Sequence, residues 1–428
     1  MKKTKALSPA AQLLTRRIDE LGQVTDEPGR LTRTFLSPAM ERANALVAEW
    51  MREAGLTVRE DETGNLIGRR ESDAPPPTGA KGRSQAKTAR GKTLLLGSHL
   101  DTVRNAGRFD GALGVVLPII VLAELRRQEV RLPFAVEVLG FSEEEAVRFL
   151  GAYIGSKAFT GRLNETDLAL KDARGLSLRA VIEEHAGRKF VRPKAAHAAR
   201  DLIGYVEVHI EQGPVLEAGQ LALGVVSAIA SQTRGRLTFR GKAGHAGTTP
   251  MHLRRDALAG AAELILFAEA LARSQPPLVA TVGTLSIPAE AANVIPGETV
   301  VSLDVRHPAD AKCRQAVKRL TKAAERIARA RGLEWEWRQT MQHPATWCSK
   351  ALTRVLSQSI GAVQSRAPEL VSGAGHDGVV MADLTPIAMM FVRCREGLSH
   401  HPDEYVTPED LDTALKAMVD FLRRLAEQ

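Results

Sequence analysis

The sequence predicts an α/β chain: a larger unit built on a mixed, largely parallel sheet flanked by helices, with a smaller α+β unit inserted into it. Three observations predict this. Helical periodicity at 39–54, 111–128, 256–273, 310–331 and 409–427 alternates with compact apolar runs at 94–97, 134–141, 203–210, 279–285 and 299–305, an order that gives a sheet covered by helices. Three of the runs end in the same kind of residue, histidine or carboxylate. One run, TVVSLDVR at 299–306, alternates instead, with Val301, Leu303 and Val305 on one side and Ser302, Asp304 and Arg306 on the other. That is the pattern of a half-exposed antiparallel strand.

The smaller unit is expected over 229–341, with helices 256–273 and 310–331 on one face of its sheet and GVVSAIAS and RQTMQHPAT as hinges. The larger unit then takes 1–228 and 342–428. At 428 residues and 44% hydrophobic, the chain can bury sizeable cores, and global disorder is excluded. No stretch approaches the roughly 18 unbroken apolar residues of a membrane span, and MKKTKALSPAAQ lacks the apolar centre of a secretory signal. A cytoplasmic protein without a membrane partner is expected. Cys313, Cys348 and Cys394 are too few and too far apart for a disulfide framework or a thiolate zinc cluster. Any metal must be held by imidazole and carboxylate.

The net charge of +8 suggests nucleic acid until the charges are located. Lys2, Lys3 and Lys5 supply three of them, and SDAPPPTGAKGRSQAKTARGK at 72–92 supplies a net four more. With three consecutive prolines and no large apolar side chain, 72–92 reads as a mobile basic insertion. The rest is near neutral, and 4% aromatic content offers no stacking platform, so a nucleic-acid partner is not expected.

The strand ends come next. TLLLG leads to His99 and Asp101, FAVEVLGF to Glu143, Glu144 and Glu145, and IGYVEV to His209 and Gln212. In open α/β sheets the ligand crevice lies beyond the carboxyl ends of the strands, so these groups should converge. Asp101, two residues past His99, can turn back to hold the ring nitrogen that does not bind metal. Asp110, at the mouth of helix 111–128, reads either as a helix N-cap or as a carboxylate bridging two cations. Three adjacent glutamates repel one another unless cations or solvent accept them; one can coordinate while its neighbour takes a proton. Taken singly, His209, His400 and His401 are equally readable as structural or surface histidines. Together the set suits Mn²⁺ or Zn²⁺, with Co²⁺ and Ni²⁺ also compatible.

Nine ordered segments, GSHLDTV, GRFDGALGVV, FSEEEAVRF, HIEQGPVLE, GKAGHAGTTPM, NVIPGE, LDVR, GAGHDG and GLSHHPDEYV, span 97–406. Together they resemble the amidohydrolase branch of the M20 metallopeptidase family, which contains allantoate amidohydrolases, N-carbamoyl-L-amino acid hydrolases and β-ureidopropionases. The resemblance implies a di-metal catalytic domain with an inserted dimerisation or lid domain. It assigns His99, Asp110 and His209 to one divalent metal and Asp110, Glu145 and His400 to a second, with Asp110 shared. Glu144 matches the general base. Gln212, His245, Asn293 and Arg306 match positions that bind a substrate carboxylate and polarise the scissile carbonyl, and His376 in GAGHDG lines the site.

By the same resemblance, His245 and Asn293 reach a partner subunit, which implies a homodimer. MMFVRCREGLSHHPDEYV is more similar to allantoate amidohydrolases than to carbamoylases, so the expected reaction is hydrolysis of a ureido C–N bond of allantoate, releasing ammonia and CO₂. Glu144 would move the proton and His245 would stabilise the oxyanion, with N-carbamoyl-L-amino acid hydrolase or β-ureidopropionase as the alternative activity. One position departs from the family: Ala146 stands where glycine is usual, and a positive φ there would strain the backbone that carries Glu144 and Glu145.

Overall fold

The computed structural model describes residues 6–74, 91–288 and 291–428. Most of the expected 72–92 insertion, and all three N-terminal lysines, lie outside the described residues. The chain divides into two compact units, Met1–Ser227 with Trp347–Gln428, and Ala228–Thr346. Both expected hinge segments contain regular strand, in Leu223–Ile229 and Glu334–His343. Because the second strand runs past Met341, the return to the larger unit falls five residues later than the sequence suggested.

In the larger unit, the strands run in the order Thr57–Glu60, Leu66–Arg70, Ala135–Phe141, Thr93–His99, Leu202–Ile210, Ile387–Val392 and Leu223–Ile229. The inner neighbours 135–141, 93–99, 202–210 and 387–392 are parallel; the pairs toward either end are antiparallel. The sheet is therefore mixed. Strands 93–99 and 135–141 are buried at every position, as parallel strands covered on both faces must be. Helix Ala112–Arg127 is apolar almost all round and almost wholly buried, packing between the sheet and helices Pro9–Leu21 and Pro408–Ala426. Each of its buried Leu, Ile and Val side chains contributes roughly 1.5–3 kcal/mol, so Val116→Asp would break this layer.

Three helices start alike. Ser8, Ser37 and Thr407 accept a backbone N–H from the first turn, and each is followed by proline at the first helical position. A satellite core of Phe35, Phe149, Ile154, Leu168, Leu178 and Ile182 secures the segment after the three glutamates, with Phe35 edge-on to Phe149 at 5.8 Å.

In the smaller unit, strand Glu298–His307 pairs antiparallel with Ser231–Arg240, and 231–240 with Glu334–His343. Leu237, Phe239, Val301, Leu303 and Val305 pack against Leu264, Leu271, Leu320 and Ile327 of helices Ala257–Arg273 and Asp310–Arg331. The apolar run 279–285 is not one strand. It forms two edge pieces, Val279–Thr281 and Leu285–Ser286, both pairing with 298–307, because Gly283 and its neighbours leave the ladder between them.

Candidate metal centre

All five expected metal donors meet in the larger unit. His99 is the last residue of its strand and His209 the last but one of another, while Glu145 and His400 lie on loops that leave the ends of strands 135–141 and 387–392. The fourth ending, after IAMMFV, is the one that strand pattern alone did not single out. Asp110 sits between the two groups. Its Oδ1 is 3.0 Å from His209 Nε2 and 3.7 Å from His99 Nε2; its Oδ2 is 3.2 Å from His400 Nε2, which is also 3.4 Å from Glu145 Oε1. His401 turns away, its Nδ1 accepting the N–H of Asp403. Gly111 makes this approach feasible: it has φ +65°, and a Cβ there would fall 2.4 Å from the His99 ring. It also occupies the N-cap of helix 112–127, so Asp110 does not cap the helix.

The donors fit a pair of divalent cations. Asp110 Oδ1 is buried without a hydrogen bond although two imidazoles face it, as expected of groups aimed at a common point. His99 and His209 are oriented from behind: Nδ1 of His99 bonds the main-chain oxygen of Asp101 at 3.0 Å, and Nδ1 of His209 that of Ile210 at 2.9 Å. Each thereby keeps Nε2 for a metal. The donor-capable atoms of His99, Asp110 and His209 lie within 4.8 Å of one another, as do those of Asp110, Glu145 and His400.

The charges explain one another. Burial pushes the Asp110 carboxyl up, but His209, His400 and His99 outweigh it and hold the group well below the usual range. Burial opposes charge on His99 and His209, yet Asp101 and Asp110 raise the first and Asp110 raises the second. His400, bonded to Asp110, rises to about 9. Burial, together with the Asp110 charge, lifts Glu145 to about 7. Glu144 is raised well above its ordinary value by burial and by Glu145, Asp377 and Asp101, against the pull of His99. A carboxyl so raised holds a proton more tightly than a free glutamate does.

Asp101 acts differently from the expectation. Its carboxylate does not grip the ring of His99; Oδ1 and Oδ2 accept the backbone N–H groups of Glu144 and Glu145, each at 3.1 Å. The reason is reach: the Asp101 carbonyl already occupies Nδ1 of His99, and the carboxylate, 3.5 Å from that nitrogen, turns to the glutamate loop. That loop is strained. Glu143 has φ 50° and Ala146 φ 56°, so the alanine stands in the left-handed region that glycine favours.

Gln212 donates to Asp110 Oδ2 at 3.1 Å and to Ser399 Oγ at 3.2 Å, while its Oε1 is buried without a partner. It also has φ 54°, and the Cys394 thiol accepts the N–H groups of Gln212 and Gly213. His376 is not at the surface of the site. It is 1% exposed, its Nε2 is 2.7 Å from Ser372 Oγ, and its ring stands edge-on to His209 at 4.5 Å. It is buried and packs against the ring of His209.

His245, Asn293 and Arg306 belong to the smaller unit. His245 pairs with Val294 in a two-residue ladder, next to Asn293, whose carbonyl accepts from Ala246. The exposed His245 ring accepts the N–H of Gly247 at Nδ1, which assigns its proton to Nε2 and makes that atom a hydrogen-bond donor. Arg306 rests on Asp304 through Nε at 2.9 Å and Nη2 at 2.8 Å. Asp304 also accepts from Gln232 and Arg234, so the guanidinium is held in place along its strand.

Three buried polar residues near the donors, Ser98, Glu207 and Glu404, had not been singled out, and a fourth, Asp377 of GAGHDG, had been expected to line the site without a step assigned. Ser98 donates to Glu207 Oε1 at 2.8 Å; Asp377 is buried with neither oxygen hydrogen-bonded; Glu404 accepts from the backbone of the Asp110 loop. Glu207 lies two residues before HIEQG, Asp377 within GAGHDG and Glu404 within SHHPDEYV. Their proximity to ligand residues was the available signal.

The profile of peptidase family M20/M25/M40 matches residues 95–424. Allantoate deiminase 2 of Glycine max is 38% identical over 443 residues, covering 96% of this chain and 88% of that protein. N-carbamoyl-L-amino-acid amidohydrolase of Pseudomonas sp. (strain NS671) is 35% identical over 426 residues, covering 98% and 99%. Among solved structures, a hydantoinase/carbamoylase family amidase from Burkholderia multivorans superposes with TM-score 0.89 at 30% identity, over 99% of this chain and 98% of that one.

Proposed function

We infer the activity of this chain from its family: it belongs to peptidase family M20/M25/M40, and we propose that it is a metal-dependent amidohydrolase that cleaves a ureido C–N bond of allantoate. The observation that carries this reading is the Asp110 carboxylate facing His99 and His209 with one oxygen and His400 with the other, beside Glu145. Two divalent cations held there, Mn²⁺ or Zn²⁺, would supply Lewis acidity toward water and the carbonyl oxygen.

The remaining steps fall to side chains. Glu144 accepts a proton from the attacking water and delivers it to the leaving nitrogen, and the carbamate so released breaks down to CO₂ and ammonia. Asp101 holds the backbone of Glu144 and Glu145 during that transfer. His245, whose Nε2 carries a proton, serves as the donor to the developing oxyanion, and Arg306, held by Asp304, takes the substrate carboxylate. Identity to allantoate deiminase and the segment MMFVRCREGLSHHPDEYV support allantoate. The match to an N-carbamoyl-L-amino-acid amidohydrolase over 98% of this chain supports the second reading. Leu266, Val279 and Leu285, exposed at 66%, 55% and 42% on the smaller unit, support a homodimer formed through that unit.

Ammonia release from allantoate and from N-carbamoyl-L-amino acids, measured side by side with Mn²⁺, tests the proposal. Faster turnover of allantoate is expected, with a loss of about 10²–10⁴-fold in Glu144→Gln. No release by the wild type, or undiminished release by the variant, overturns it.

A further inference from the structure

The loop that presents His400 also carries a brace for Asp110. Glu404 is 1% exposed. Its Oε1 accepts the backbone N–H of Phe109 at 2.8 Å and of Asp110 at 3.0 Å. Its Oε2 is 3.2 Å from Ser399 Oγ, which donates at 2.8 Å to Asp110 Oδ2. The chain passes so close over this carboxyl that a Cβ on Gly107 would fall 2.3 Å from Glu404 Cβ. One side chain therefore binds the Asp110 segment by its backbone and lies against Ser399, whose hydroxyl sits between the two carboxyl groups.

His400 needs such support. It has φ 56°, in the left-handed region that a non-glycine residue seldom adopts, and its side chain is 49% exposed. Neither backbone preference nor packing fixes it. His99 and His209, in contrast, sit in strands whose ladder holds them, and their rings are tied to neighbouring carbonyls.

We propose that Glu404 is a positioning residue that ties the Asp110 segment to the His400 loop and thereby sets the geometry of the Asp110, Glu145 and His400 donors. The proposal rests on the reading of these three as a metal-binding set. Two of the three donors stand on segments that Glu404 joins, whereas the set of His99, Asp110 and His209 has only one. Loss of the brace accordingly falls mainly on the second set.

The test is calorimetric titration of the metal-stripped full chain with Mn²⁺, followed by Co²⁺ titration read from the visible absorption of the bound ion. Wild type should take up two ions. Glu404→Ala should keep the tighter one and bind the other about 10–100-fold more weakly, the usual effect of removing a group that orients metal donors. Glu404→Gln keeps a carbonyl oxygen for Phe109 and Asp110 and offers an amide to Ser399, so it should restore most of the affinity, which a general loss of stability would not do. Ser399→Ala, at a half-buried position, should weaken the same ion several-fold and decides the matter if Glu404→Ala does not fold. Fewer than two ions on wild type would defeat the metal assignment itself. Two ions on wild type with unchanged affinities in Glu404→Ala or Ser399→Ala, or equal weakening by Ala and Gln at 404, would overturn the positioning role.

Discussion

Replacing Ala146 with glycine should make the protein more stable. At φ 56° the alanine Cβ crowds its own carbonyl, at a cost of about 1–2 kcal/mol for an L-residue. Glycine removes that cost but gives back about 0.4–1 kcal/mol, because the unfolded chain gains freedom. The difference favours glycine by about 0.5–1 kcal/mol. The strain sits in one segment, since Glu143, Leu150 and Tyr153 also have positive φ. Hydrogen exchange across 143–153 reads it locally, and amides there should exchange about two- to fivefold more slowly in Ala146→Gly. Turnover should change little, because Asp101 still holds the N–H groups of Glu144 and Glu145. Ala146→Val, branched at Cβ, should move exchange the other way. Faster exchange in the glycine variant, or no difference between valine and alanine, would show that position 146 carries no strain.

Other outcomes follow from the same structure. Asp101→Asn turns an amide N–H₂ toward one of the two backbone N–H groups; turnover should fall about 10–100-fold with circular dichroism unchanged, and unaltered turnover would remove Asp101 from the site. Arg33 is 1% exposed and donates to the carbonyls of Leu100, Leu21 and Val24. Arg33→Met should cost at least about 3 kcal/mol in denaturant titration, and a loss under 1 kcal/mol would contradict that role.

Without metal, stability should fall as pH rises from about 5 to 9. Burial with neighbouring carboxylates lifts Glu143, Glu145 and Glu404 from 4.5 to about 7, and His400 rises from 6.5 to about 9. The folded chain thus binds these protons more tightly than the unfolded chain, with His376, held neutral by burial, opposing. Melting in EDTA should be higher at pH 5.5 than at 8.5, and Mn²⁺ should reverse the order because it needs the donors deprotonated; a rise with pH in EDTA would refute the sign. Light scattering should give twice the chain mass in solution, and Leu266→Glu should halve it.

Much of this was legible in the chain because ligand chemistry and strand ends coincide. His99, Glu145 and His209 stand where apolar runs stop, and the long amphipathic helices announced themselves by period. What escaped has identifiable causes. Helix Pro9–Leu21 shares its Ser-Pro start with Pro38–Glu53, yet its apolar positions are diluted by Arg16, Arg17, Asp19 and Glu20. Strand Ser231–Arg240 alternates cleanly, but Ser231, Thr233 and Gly235 precede Leu237 and Phe239 on its inward face, so the first half of the buried face does not look apolar. Asp101 and Glu404 act through backbone N–H groups of residues 43 and about 295 positions away in the chain, and no local pattern reports partners at such separations.

The place of strand Ile387–Val392 has a consequence for synthesis. It is an interior strand, between 202–210 and 223–229, yet nearly the whole chain must leave the ribosome before it exists. Until then two long apolar edges face each other across an empty register, the condition under which partly made chains pair with the wrong neighbour. His400 follows only eight residues after that strand, so the last gap in the sheet and the last of the candidate metal donors are supplied by the same late stretch of polypeptide. A nascent chain that stalls before this point presents sticky strands and an incomplete donor set together, and holding such chains apart until release is the demand this topology makes on the cell.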